Sequence, residues 1–324
     1  MQSFTDWRNI PAEARGASVA MGNFDGVHRG HRSVIELARE VGAPMGLLKG
    51  NPLGIITFEP HPRAYFAAAA GKDLPPFRLM NSTARAHRFA MLGVERLFEL
   101  PFDGALAAMP AEDFARDILA KGLGVAHVTV GADFRFGAGR TGGPDELVRM
   151  GREFGFAVTI ADLLHEGDVE VSSTAIRKSL SEGRPQDAAV MLGHLHRIEG
   201  PVLHGEKRGR ELGYPTANMS VAGLHLPRLG VYAVKVDVLD GLHQGSYQGA
   251  ASLGVRPMFG ENTPNLETHL FDFKGDLYGA QLSVALVAFL RPELKFSNLD
   301  ALIDQMAADC DRARGILGRS ALHG

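Results

Sequence analysis

The sequence predicts two domains of different class, a parallel α/β domain followed by an antiparallel β-barrel closed by a C-terminal helix. Three observations predict it. The first half alternates short apolar runs with helix-like segments. Beyond about residue 200 short strands follow one another, separated by turn signals. The chain of 324 residues also exceeds one ordinary core and suits two domains of about 150 residues each. The predicted division is 1–186 and 187–324, within a short connecting helix that starts at Arg184-Pro185 and ends before Gly193.

In the first half the strand candidates are 19–21, 53–58, 94–100, 125–130 and 156–160. Each is a short apolar run, and Leu53-Gly54-Ile55-Ile56-Thr57-Phe58 is apolar almost throughout, as a strand covered on both faces should be. Helices are expected between them at 31–42, 82–92, 111–122 and 144–154. That βαβα order implies a parallel sheet with helices on both faces, and ligands of such sheets lie at the carboxyl ends of the strands. In the second half 231–236, 249–253, 266–271 and 282–290 read as strands, with turns at Asp240-Gly241 and Lys274-Gly275-Asp276. A final helix is expected over 297–315.

Composition narrows the function. A hydrophobic share of 45% and a charged share of 22% are those of an ordinary globular protein. A net charge of −3 gives no broad basic field, so nucleic-acid binding is not indicated and any phosphate must be gripped locally. No stretch reaches the roughly 20 apolar residues needed to span a bilayer, and the N-terminus lacks a basic start followed by an apolar core. The single cysteine, Cys310, cannot form an intrachain disulfide, which fits a reducing cytoplasm.

The densest motif is Gly22-Asn23-Phe24-Asp25-Gly26-Val27-His28-Arg29-Gly30-His31, directly after the first strand. Its glycines let backbone approach phosphate, and the helix that follows places orphan N–H groups and partial positive charge at the same spot. His28 and His31 fall in the first turn, where imidazoles can donate to phosphate oxygens as charge develops on them. The same residues taken singly also suit a loop that turns the chain into a surface helix. Thr57-Phe58-Glu59-Pro60-His61-Pro62 follows the next strand, on the same sheet edge, and its prolines equally suit a rigid turn. Gly131-Ala132-Asp133-Phe134-Arg135-Phe136-Gly137 pairs aromatic faces with arginine, apt for a planar ring beside phosphate, although Phe134 and Phe136 could equally be core. Ser172-Ser173-Thr174-Ala175-Ile176-Arg177 offers hydroxyls at a helix start and a guanidinium one turn on, either a plain cap or an anion grip.

These four motifs, in this order and spacing, resemble the adenylyltransferase half of the prokaryotic bifunctional riboflavin kinase/FAD synthetase family. The resemblance runs from about residue 16 to 314. It implies a Rossmann-like nucleotidyltransferase domain that makes FAD and pyrophosphate from FMN and ATP. His28, His31 and Arg177 would be catalytic, with Gly22, Asn23, Phe24, Asp25, Gly26, Gly30, Ser172, Ser173 and Thr174 on ATP. Pro60, His61, Asp133, Phe134 and Arg135 would face flavin. Aminoacyl-tRNA synthetases share His-x-Gly-His, but the Lys-Met-Ser-Lys-Ser loop they carry is absent from the sequence.

The second dense stretch, His204 to Asn218, collects glycines, basic side chains and Pro215-Thr216-Ala217-Asn218. A solvated basic loop would ordinarily account for it, yet Thr216 and Asn218 oxygens are hard neutral donors suited to a Mg²⁺ shell completed by phosphate and water. The tetrapeptide resembles the nucleotide and metal motif of riboflavin kinase, and the sequence holds no Gly-x-x-x-x-Gly-Lys-Ser/Thr. On that resemblance Gly205, Lys207, Gly209 and Arg210 would hold ATP phosphates and Arg291 would border the flavin. Glu267 would deprotonate the ribityl 5′-hydroxyl. By pattern alone Glu267 and His269 share one strand face and the neighbouring leucines the other, as on any half-solvated strand.

Two positions depart from the family's pattern: Ser252 stands where Asn is typical and Met258 where Thr is typical. The implied function is therefore a cytoplasmic, Mg²⁺-dependent, ATP-using enzyme with both activities, whose small-molecule partners are riboflavin, FMN, FAD and ATP. Its rivals are an adenylyltransferase with a weakened kinase, motivated by Ser252 and Met258, and a flavin sensor without turnover. Against the sensor stands the presence of both sets of reactive groups.

Overall fold

The computed structural model describes residues 1–43, 50–162, 165–166, 169–204, 213–258 and 261–320. Its contacts group into two compact units, Met1–Pro75 with Arg85–Val171 and Pro76–Ala84 with Ser172–Gly324.

The N-terminal unit holds strands β1 (Gln2–Phe4), β2 (Ser18–Met21), β3 (Leu53–Glu59), β4 (Arg96–Pro101), β5 (His127–Gly131) and β6 (Ala157–Ala161). They form one fully parallel sheet in the order β1-β4-β3-β2-β5-β6. Helices α1 (Arg29–Gly42), α2 (Pro62–Ala69), most of α3 (Ser82–Met91), α4 (Gly104–Ala107), α5 (Ala111–Asp113, continued by the π-helical Phe114–Leu123) and α6 (Pro144–Phe154) connect them. A small hairpin, β7 (His165–Glu166) and β8 (Val169–Glu170), follows. From β2 the chain winds outward through β3 and β4, then returns to add β5 and β6 on the other flank. Strand order therefore reverses between β2 and β5, and the loops leaving those two strands border the crevice where such sheets bind ligands.

The sheet interior is apolar: Val19, Ile55, Ile56, Phe98, Val128 and Val130 are all buried. A polar thread runs through it. Ser18 Oγ donates to Ala38 O at 2.6 Å, so it must accept from His127 Nδ1 at 2.9 Å. That leaves Nε2 of a neutral imidazole to accept from the Thr159 hydroxyl at 2.8 Å.

The C-terminal unit begins with α7 (Ser173–Ser181) and α8 (Pro185–Leu192). Strands β9 (Arg197–Pro201), β10 (Ala217–Ser220), β11 (Gly230–Val238), β12 (Gly245–Met258), β13 (Glu261–Leu270) and β14 (Gln281–Arg291) then pair antiparallel in the order β10-β13-β12-β11-β14-β9. The edges β9 and β10 nearly meet, because the Leu203 N–H donates to Asn218 O at 2.8 Å, and the sheet curls into an almost closed barrel. Helix α9 (Leu299–Ser320) covers one side. Its Ala313 and Leu317 pack with Val231, Ala233, Val287 and Leu290, while Val234, Val284 and Leu286 face the barrel core. Burial on both faces explains why residues 282–290 are so continuously apolar.

Two buried histidines give a pH prediction. Burial lowers the His127 pKa and brings that of His196, buried near His194 and His225, down to about 3. Both folded-state values lie below that of the unfolded chain, so below about pH 6.5 the unfolded state binds more protons. Stability conferred by neutral burial is thus fully present above pH 6.5 and is lost as pH falls toward the folded value. For His196 the slope is at most about 1.4 kcal/mol per pH unit. The denaturation midpoint of the C-terminal unit should drop between pH 7.5 and 5, and His196→Gln should flatten that dependence. An unchanged slope in the variant would assign it elsewhere.

Candidate active sites

The first site grows from the turn after β2. The Gly22 N–H donates to Ile56 O at 3.1 Å, which carries the chain off the sheet edge. Phe24 (φ 53°), Gly26 (φ 88°) and Val27 (φ 43°) then take left-handed conformations. Of the three expected glycines only Gly26 is needed for its φ. Gly30 answers a different need, since a Cβ there would lie 3.3 Å from two atoms of the His28 ring.

His28 is the N-cap of α1, and its Nδ1 accepts from the His31 N–H at 3.3 Å. The neutral ring therefore carries its proton on Nε2. The two imidazoles stack, with centroids 3.6 Å apart and planes 17° from parallel, and Phe24 packs edge-on against His31 at 5.2 Å. Burial, then the neighbouring His28, holds His31 well below its ordinary pKa, so it is a neutral donor rather than a cation. Its Nδ1 is buried without a hydrogen-bond partner among the described residues. Asp25 is buried beside this turn.

Two further loops leave the same edge of the sheet. Thr57 Oγ1 on β3 donates to Asn23 O at 3.3 Å, so the Pro60-His61 segment leaves the sheet next to the glycine–histidine turn. His61 caps α2, its Nδ1 accepting from the Arg63 N–H at 3.1 Å. Tyr65, Phe66 and Phe58 gather around Phe102 at 5.4, 5.7 and 5.9 Å. After β5, Asp133 and Arg135 are exposed, with Arg135 Nη1 donating to Phe134 O at 2.7 Å. Phe134 is half-buried and stacks on Phe136, which is core.

Sequence reasoning missed Arg85. It is completely buried on α3, donating to Asn23 O at 3.1 Å, Glu59 Oε2 at 3.0 Å and Glu99 Oε2 at 2.7 Å. Its signal was available: one turn from Phe89, it is a charge on the apolar face of an amphipathic helix.

In the C-terminal unit Ser172 caps α7, its Oγ accepting from the Ala175 N–H at 3.3 Å, so the cap reading of that hydroxyl is realised. Ser173 is half-buried and Thr174 exposed. Arg177 is half-buried, and its Nε donates to Phe77 O at 2.6 Å with the guanidinium over the Phe77 ring.

The barrel carries the second site. A cleft of about 160 Å³ is lined by Thr216, Ser252, Glu267, His269 and Arg291 from the strands and by Leu302, Met306, Asp309 and Cys310 from α9. Glu267 and His269 do face one way while Leu266 and Leu270 enter the barrel core. Glu267 is paired in register with Asn218 on one side and Ser252 on the other. Asn218 Oδ1 accepts from Asn265 Nδ2 at 3.0 Å, and Asn265 Oδ1 is buried without a partner among the described residues. Arg291 is paired with Asp309, with Nε at 3.0 Å and Nη2 at 2.7 Å, and its Nη1 donates to Pro292 O at 3.0 Å. Burial pushes the Cys310 thiol up to about 11, leaving it uncharged in the wall of the cleft. Gly205, Lys207, Gly209, Arg210 and the Met258 side chain lie outside the described residues.

A glycine–histidine turn at the switch point of a parallel sheet, followed by an antiparallel barrel whose cleft carries a carboxylate, is the arrangement of a two-domain transferase of the nucleotidyltransferase–flavokinase kind. Family models for FAD synthetase match residues 10–175 and for riboflavin kinase residues 192–317. The chain is 39% identical to the bifunctional riboflavin kinase/FMN adenylyltransferase of Pseudomonas fluorescens, covering 99% of each, and 39% identical to that of Escherichia coli K12, covering 95% of each. Identity to the Bacillus subtilis protein of the same name is 33%, over 94% of this chain and 93% of the relative. A crystal structure described as a macrolide-efflux protein from Streptococcus pneumoniae shares the fold, with a TM-score of 0.77 at 28% identity over 95% of this chain and 96% of that one. No described helix here is long and apolar enough to cross a membrane. The chain belongs to the bifunctional riboflavin kinase/FMN adenylyltransferase family.

Proposed function

We infer that the chain makes FAD from riboflavin in two steps, phosphorylating riboflavin to FMN and adenylylating FMN to FAD with release of pyrophosphate, ATP being the co-substrate of each. The domain division is 1–186 for adenylyl transfer and 187–324 for the kinase. In adenylyl transfer an FMN phosphate oxygen forms a bond to the α-phosphorus of ATP while the bond to the β-phosphate oxygen breaks. His28, through Nε2–H, and His31 donate to the phosphate oxygens on which charge builds. Gly22 to Gly26, Gly30 and the helix start at Ser172 to Thr174 hold ATP, and Arg177 takes the leaving pyrophosphate. Pro60, His61, Asp133, Phe134 and Arg135 receive the flavin, with the Phe102 aromatic group beside them.

The cleft that places Glu267 beside Thr216 is the observation that carries the kinase reading. Glu267 accepts the proton of the ribityl 5′-hydroxyl as that oxygen attacks the γ-phosphorus, and ADP leaves. Arg291 and its ion pair stiffen the flavin side. The donors fit Mg²⁺: Thr216 and Asn218 supply neutral hard oxygens, and Asn265 Oδ1, buried without a partner among the described residues, leaves room for a positive partner. Mg²⁺ held there would offset negative charge on the transferring phosphate. The lone cysteine supports a cytoplasmic setting.

Purified protein given riboflavin, ATP and Mg²⁺ should yield both FMN and FAD on chromatography. Neither product would overturn the reading, and FMN without FAD would overturn its first-domain half. Thr216→Ala and Asn218→Ala should each raise the Mg²⁺ concentration required for half-maximal FMN formation. Conversion of supplied FMN to FAD should stay at the parent rate in both.

A further inference from the structure

We propose that Arg85 is a positioning residue for adenylyl transfer, a buried cation that locks the ATP turn and the flavin loop into one geometry. The inference rests on the reading above that the glycine–histidine turn holds ATP.

The Arg85 side chain is 1% exposed, and a guanidinium so deeply buried is costly unless its charge is matched; among the described residues Nε has no partner, so the two Nη groups carry the match. Its partners all lie along the carboxyl edge of the sheet. Nη1 donates to Asn23 O, in the turn after β2 that carries His28 and His31. Nη2 donates to Glu59 Oε2 at 3.0 Å, at the end of β3 and one residue before Pro60-His61, and to Glu99 Oε2 at 2.7 Å on β4. A single planar group thus reaches three neighbouring strand ends, of which two carry the loops assigned to the two substrates. A core that needed only filling at this place would take an apolar side chain more cheaply. Asn23 O lies immediately before Phe24, whose φ is 53°, so the contact holds the turn where it enters its left-handed stretch.

In-line attack needs the FMN phosphate and the ATP α-phosphorus within about 3.5 Å, and a shift of about 1 Å far from the reacting atoms can cost about 10²-fold in rate. Loss of the Arg85 clamp should therefore act on both substrates at once. Arg85→Met should raise KM for FMN and for ATP and lower kcat for FAD formation about 10²-fold, while FMN formation from riboflavin is unchanged. Arg85→Lys, which returns a cation between the two carboxylates but not the fork to Asn23, should recover a substantial part of that loss.

The Met variant leaves Glu59 and Glu99 facing an apolar side chain, so Arg85→Met/Glu99→Gln is made alongside it, and both are assayed well below their melting temperatures. A kcat deficit that persists in the fully folded variants and is partly restored by lysine supports the proposal. Parent KM and kcat in the folded variants, or a deficit that lysine does not reduce, would overturn it. His28→Ala run in parallel separates the two levels: if it too is fully active, the ATP assignment of the turn has failed. If His28→Ala is inactive while Arg85→Met is not, only the positioning role has failed.

Discussion

Replacing His28 or His31 by alanine is expected to lower FAD formation from FMN by about 10²-fold or more, with FMN formation from riboflavin unaffected. The two substitutions remove different things. His28 caps α1 through Nδ1, so its loss also frees a helix-start N–H and should destabilise the N-terminal unit by about 1 kcal/mol. His31 makes no such cap, and its Nδ1 is buried without a partner among the described residues, so removing the ring relieves an uncompensated polar atom. His31→Ala should then be the less destabilised of the two and comparably inactive. Steady-state assays with FMN and ATP, with thermal melts on the same preparations, test this. Near-normal adenylyl transfer in both would make the stacked pair structural.

Glu267→Gln should abolish most FMN formation, by about 10²-fold or more, because the amide keeps size and hydrogen bonding but cannot take the ribityl proton. Supplied FMN should still be converted to FAD. The register gives this variant a useful companion. Ser252 stands directly across from Glu267, and both line the cleft. Serine there is shorter than asparagine, and Ser252→Asn should raise kinase turnover if the shorter side chain leaves Glu267 under-held. Equal kinase rates in Glu267→Gln and the parent would remove Glu267 as the base.

Most of the fold was legible because it obeys period. The apolar runs at 19–21, 53–58 and 125–130 became β2, β3 and β5, and the alternation around Glu267 became a strand with one polar face. What escaped had no period to read. β1 is three residues at a sheet edge, β10 only four, and α2 is a short alanine-rich helix without a single buried residue. At the sites, the motif residues of the glycine–histidine turn and of the cleft announced themselves by type. Their supports did not. Arg85, Asn265 and Asp309 hold motif groups from 62, 47 and 18 residues away along the chain, and no local pattern links such partners. The glycine argument was half right: Gly26 serves its φ and Gly30 makes room for His28, whereas a Cβ on Gly22 would meet only ordinary contacts.

The wall that α9 lends to the barrel cleft bears on the order of assembly during synthesis. Every strand of the parallel sheet has emerged by Ala161, so the adenylylating half can close its core while the barrel is still unmade. A ribosome that has passed β14 but not α9 carries a barrel whose cleft lacks Leu302, Met306, Asp309 and Cys310, and whose Arg291 lacks its counter-ion. The enzyme that acts second in making FAD is thus finished first. The cleft beside Glu267 lacks one wall until the last long helix has left the exit tunnel.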